Sequence, residues 1–165
     1  MQYKTSLLLA QYKNMTSWVN MFLKKLSDDD LKLEIAPGRN HGVWLLGHLI
    51  VSDDDLSLYM GKDPMLYPEY SDIFGPKSIL KPAEEYPAVK ILREQWNNVI
   101  EKNIKIYSEL TDEELAEPHA MVKGNIEDDY FKTKENCAIN WLNHQMYEAG
   151  QLGILYRNSG KEKIM

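Results

Sequence analysis

One cysteine among 165 residues, Cys137, has nothing to pair with, so an internal disulfide framework is excluded. A chain built this way suits a reducing compartment, and the cytoplasm is the expected location. Long apolar runs are missing too. No stretch approaches the roughly 18 residues that cross a bilayer. The short patch Leu7-Leu8-Leu9-Ala10 is followed by polar residues and no small-residue cleavage site, so it does not read as a signal peptide. Positive charge is scarce: 19 Lys and Arg stand against 25 Asp and Glu, for a net charge of -6. The basic footprint that phosphate backbones require is absent, which argues against nucleic acid as a partner. The same deficit argues against a membrane surface. Neither a glycine-rich phosphate loop nor a serine nucleophile elbow occurs.

What is present is an ordinary globular composition, 44% hydrophobic and 27% charged. The length suits one domain over residues 1–165 with one core. Four long helical patterns dominate. The first runs from about Thr5 to Leu26, with Leu8, Tyr12, Met15, Val19, Phe22 and Leu26 at three- and four-residue steps. Ser27 and Asp28-Asp29-Asp30 end it as a solvated turn that opens a short helical segment at Leu31. Asn40 is the candidate cap of the second helix, which reaches Met60 and stops at Gly61. Five prolines break the chain from Lys62 to Pro87, a length expected either of a plain crossover between distant helices or of a lid, with the crossover favoured. The third helix covers Ala88 to Leu110, and Val89, Leu92, Trp96, Val99, Ile100, Asn103 and Tyr107 form its inward stripe. A capping box at Thr111 and Glu114 starts one more turn. Pro118 to Asp129 reads as loop, briefly extended at Met121-Val122-Lys123, and the fourth helix runs from about Thr133 to Asn158. The expected fold class is all-α, a four-helix bundle with a long Pro-rich connection between helices two and three.

Two polar features interrupt the apolar faces. His144 and Glu148 are four apart on one helix, so their side chains share a face and can meet one ion. Trp141 and Leu152 flank them, which points the face inward, where a carboxylate must be paired, hydrogen-bonded or metal-bound. His48 lies within the apolar run Trp44 to Ile50 and must satisfy two ring nitrogens, by a neighbouring helix or by a metal. Helical spacing leaves both readings open. Gly150 inside the last helix suggests close approach of a neighbouring helix, and Gln151 is either a hydrogen-bond partner of a ligand or a half-exposed amide. His41 reads as a surface residue near a helix start and His119 as incidental. Cys137 reads as a small buried hydrophobe. Of Asp53, Asp54 and Asp55, only Asp55 is expected to face inward.

Leu46-Gly47-His48-Leu49 resembles the second-helix signature of the DinB-like superfamily. The run His144-Gln145-Met146-Tyr147-Glu148-Ala149-Gly150-Gln151-Leu152 resembles its fourth-helix signature, usually His-x-x-x-His-x-Gly-Gln. The order of the helices fits as well, so the resemblance covers nearly the whole chain. It implies one divalent metal ion, Zn, Ni, Mn or Fe, held by His48, His144 and the third ligand position. That third position usually carries His and here carries Glu148. Mycothiol-dependent maleylpyruvate isomerases in the superfamily also use a carboxylate ligand, though at another position.

The resemblance also implies a function. Superfamily members include thiol-dependent S-transferases and isomerases, so a small-molecule substrate, a low-molecular-weight thiol as cosubstrate and a homodimer are expected. A metal-water hydrolase is a variant of that reading. The alternatives are a non-catalytic metal- or small-molecule-binding protein, and a metal-free bundle whose site has decayed. An accessible coordination position facing a pocket separates the first from the second. Pairing of Glu148 with Lys or Arg would mark the third.

Overall fold

A computed structural model describes residues 2–161, with the backbone alone at Asp128. Among them the secondary structure is helical, with two isolated β-bridges, Glu34 to His41 and Pro118 to Thr133, in place of strands. Four helices form the frame: α1 (Tyr3–Lys25), α3 (Gly42–Asp54), α6 (Val89–Glu109) and α8 (Lys134–Asn158). Shorter pieces join them: α2 (Asp28–Leu31), α4 (Leu56–Met60), α5 (Tyr70–Phe74) and α7 (Asp112–Ala116). Among the described residues no helix is long and apolar enough to cross a membrane.

Side-chain contacts fix the order around the bundle. α1 packs on α6 and α8, and α3 packs on the same two, so α1 and α3 face each other across a diagonal. Lys4 reaches Glu135 near the starts of α1 and α8, and the Phe22 and Tyr156 rings meet near their ends, so these two helices are parallel. Arg93, at the start of α6, donates to the carbonyls of Leu23 and Leu26 at the end of α1, so α6 is antiparallel to α1. α3 is antiparallel to α8, since Trp141 meets the Ser52 carbonyl whereas Gly42 lies against Leu155. It follows that α3 and α6 run the same way. A chain leaving α4 must therefore travel back along the bundle, about 30 Å for a helix of 21 residues, before α6 can begin. That return explains the length of the Pro-rich segment.

The return path is more than a crossover. It folds α5 against α3 and buries Phe74 completely. Gly47 makes this possible, because a Cβ at that position would overlap the Phe74 ring. Tyr70 and Tyr86 pack around the same ring at centroid distances of 5.0 and 5.1 Å.

All seven stripe residues of α6 are buried, as its periodicity predicts. Several local expectations are corrected. The N-cap of α3 is His41, not Asn40: its buried imidazole accepts from the Trp44 N–H at 3.0 Å through Nδ1 and meets the Lys81 carbonyl through Nε2. Ser27 forms a capping box with Asp30, so the aspartates begin α2 rather than precede it, and Leu31 ends it. The second helix breaks at Asp55 before resuming as α4. Met121 lies in a turn, and residues 121–123 form no strand. His119 is not incidental: it is buried, and its Nε2 pairs with Asp129 at 2.8 Å, pinning the loop before α8.

Candidate metal centre

α3 and α8 lie side by side, and three donor groups meet between them. His48 Nε2 and His144 Nε2 are 3.3 Å apart. Glu148 Oε1 lies 3.4 Å from His144 Nε2 and 4.0 Å from His48 Nε2. Two donors each about 2.1 Å from one ion sit about 3.0 Å apart at a right angle and about 3.4 Å apart at the tetrahedral angle. The two shorter spacings therefore suit a single ion as they stand, and the 4.0 Å pair would close by about 0.6 Å to reach the tetrahedral value. The three residues form a group able to hold a metal, with all three donor atoms within 4.8 Å of one another.

The surroundings prepare His48 as a ligand. Its Nδ1 lies 2.8 Å from the Phe74 carbonyl, which can only accept, so Nδ1 carries the proton and the lone pair of Nε2 points at the other donors. The Trp44 indole stacks on the ring at 4.7 Å and 13°, and holds its plane. Burial holds the His48 imidazole below its ordinary pKa. Burial, and then the neighbouring His48, does the same to His144. Both are therefore neutral at pH 7, the form that binds metals.

Glu148 is 5% exposed, and burial pushes its carboxyl up to about 7. Its other oxygen accepts from the Gln151 amide, so Gln151 orients the candidate ligand. No Lys or Arg among the described residues pairs with Glu148; the groups facing its Oε1 are the two imidazoles. A buried carboxylate in this setting lacks a cation, which a divalent ion would supply.

A cleft opens on both sides of the group. One pocket, of about 270 Å³, is lined by Val51, Ser52, Asp55, Asn140 and Trp141 together with both histidines. On the other side a wider groove of about 950 Å³ reaches Arg39 and Asn40, with Glu148 and Gln151 along its wall. His48 and His144 line both spaces.

Three expectations need correction. Gly150 admits no neighbouring helix, since a Cβ there would meet nothing within 4 Å; the close approach falls at Gly153, against Phe22. Asp53 and Asp54 are completely buried, not solvent-facing. Asp54 pairs with Lys102 and accepts from the N–H groups of Leu66 and Tyr67 at 3.0 and 2.8 Å. Asp53 accepts from the Tyr12 hydroxyl at 2.5 Å and from the Gln145 amide. The periodicity of α8 concealed Gln145, which lies on the core stripe with Leu142, Ala149 and Leu152 while His144 sits at its edge. Asp55 faces the smaller pocket, and Cys137 is buried with its thiol pushed up to about 12 by burial, so it is no nucleophile.

The fold has a solved counterpart. A crystal structure titled as the conserved protein of locus from Enterococcus faecalis superposes with a TM-score of 0.71 and 14% sequence identity, covering 98% of this chain and 100% of that one. At that identity the likeness concerns the fold alone. No curated protein matches the chain. The family model described as DinB superfamily matches residues 11–152, which include all three residues of the candidate centre; the chain belongs to the DinB superfamily.

Proposed function

We propose that this protein holds one divalent transition-metal ion at His48, His144 and Glu148 and acts as a metal-dependent enzyme on a small molecule, by transfer or isomerisation involving a thiol or by hydrolysis. The observation that carries this reading is the cleft: the two imidazoles line open space on both sides, so a three-ligand ion would keep positions accessible to substrate. Such an ion supplies Lewis acidity that lowers the pKa of a bound water or thiol.

The chain's own residues do the rest. The Phe74 carbonyl fixes the His48 tautomer, Trp44 fixes the ring, and Gln151 fixes the carboxylate. With Glu148 in place of a third neutral imidazole, the site carries one more negative charge. A two-histidine, one-carboxylate set suits Zn and Fe, and the extra charge favours neutral or cationic coligands over a second anion near the ion. Arg39, on the rim of the wider groove, is the cationic side chain available to an anionic substrate group. The reading of a decayed site has less support, because Glu148 turns toward the imidazoles and meets neither Lys nor Arg.

Elemental analysis of protein purified without a His-tag or chelator tests the proposal. About one equivalent of zinc, nickel, manganese or iron is expected, lost in both His48→Ala and Glu148→Ala. Protein that stays free of metal after incubation with each ion sinks it.

A further inference from the structure

The smaller pocket has an unusual charge pattern. Its polar wall consists of Ser52, Ser71, Asn140 and Asp55 beside the two histidines, and no Lys or Arg among the described residues lines it. Val51, Pro76 and Trp141 supply the apolar surface. Asp55 is therefore the one ionisable group at the end away from His48, which it follows by seven residues, about 10 Å along the helix axis.

The Asp55 carboxylate is positioned. The Trp141 indole N–H lies 2.8 Å from Oδ1 and also donates to the Ser52 carbonyl at 2.5 Å, which locks the ring between α3 and α8. No described group donates to Oδ2, and Asp55 forms no ion pair among the described residues. This contrasts with its neighbours: Asp54 has Lys102, and Asp53 has Tyr12 and Gln145. Burial raises the Asp55 carboxyl to about 7 against the Trp141 hydrogen bond, while the nearby Asp54 and Lys102 charges act in opposite directions. A carboxylate held by one oxygen, with the other turned to a small and otherwise neutral space, is built to receive a positively charged hydrogen-bond donor.

We infer that this pocket binds a small primary amine, with its ammonium group on Asp55 and the body of the molecule lying over Trp141 toward His48 and His144. A volume of about 270 Å³ limits the ligand to a short chain or a single ring. This inference deepens the metalloenzyme reading by naming the substrate class, and as a substrate assignment it rests on that reading. The binding itself requires only Asp55 and the pocket.

Benzylamine is the probe, and benzyl alcohol is its neutral counterpart. Each is titrated into the full chain, metal-free and zinc-loaded, with the Trp141 indole N–H resonance and calorimetry as readouts. Trp141→Phe assigns that resonance among the four tryptophans. Benzylamine is expected to shift the Trp141 signal and bind at least tenfold more tightly than benzyl alcohol. Asp55→Asn retains an acceptor for the indole and should abolish the preference with zinc stoichiometry unchanged. Ser71 is exposed at the mouth, so Ser71→Trp should block the pocket without disturbing the core. Equal affinity for the two probes, no binding at millimolar concentration, or a preference surviving in Asp55→Asn overturns the inference. Zinc uptake measured on the same samples separates the two readings. Zinc without amine preference defeats only the amine site, and amine preference without zinc defeats only the metal centre.

Discussion

Gly47→Ala and Gly150→Ala make the same chemical change on two helices and should have opposite effects. Each replaces a helical glycine, a gain of about 1 kcal/mol in helix propensity. At position 150 the new methyl meets nothing within 4 Å, so the gain stands. At position 47 it would enter the Phe74 ring, which is completely buried and boxed in by Tyr70 and Tyr86. Overpacking of a filled core costs about 1–3 kcal/mol, and a ring held on three sides belongs at the upper end. Gly47→Ala should therefore lose about 2 kcal/mol net, the difference between about 3 and about 1. For a chain of this size that is about 4–8 °C in Tm. The displaced Phe74 also carries the carbonyl that orients His48, so metal affinity should fall about 10–100-fold, as when an outer-shell partner is lost. Urea unfolding and cobalt(II) titration followed by absorption measure the two effects. Phe74→Leu in the Gly47→Ala background makes room and should recover part of the stability. If Gly47→Ala is as stable as Gly150→Ala, the steric account of the Leu46-Gly47-His48 run is wrong.

Two further perturbations follow from the buried charges. Lys102→Met leaves the completely buried Asp54 without its cation and should cost about 3–5 kcal/mol in urea unfolding; a loss below about 1 kcal/mol would mean that the two backbone N–H groups suffice. Glu148, raised to about 7, is mostly protonated at pH 6 in the metal-free protein, while burial lowers the pKa of both imidazoles. Zinc binding should therefore release about one proton at pH 6 and few at pH 8, read from the dependence of calorimetric heat on buffer ionisation. The sign for folding is the reverse of a salt-bridged acid: the raised pKa favours the metal-free fold at low pH, and that contribution is lost as pH rises through about 7. Glu148→Gln should show neither effect, and release that persists in it would assign the proton elsewhere.

Much of the frame was readable because α1, α6 and α8 are long enough for their apolar rows to repeat several times. The candidate centre was readable only in parts from the residues, since His144 and Glu148 share a helix face by arithmetic and His48 stands out in an apolar run; that the three act together was implied by the family resemblance. What escaped depends on partners far along the chain. Three consecutive aspartates look like a solvated patch until Lys102 reaches Asp54 across 48 residues and Gln145 reaches Asp53 across 92. α5 has five residues, too few for any period to show, so the Pro-rich segment looked like a plain crossover. His41 takes the cap from Asn40 because its ring also finds the Lys81 carbonyl, a contact made by that same segment.

The two imidazoles come from helices 96 residues apart in sequence, with the return path between them. A ribosome adding about 5–20 residues per second exposes His48 some 5–20 s before His144 emerges. During that interval the nascent chain offers an incoming ion only one of the centre's three donors. Under the proposed function, tight loading would therefore wait until α8 has docked, and metal content would be a record of chains that finished folding.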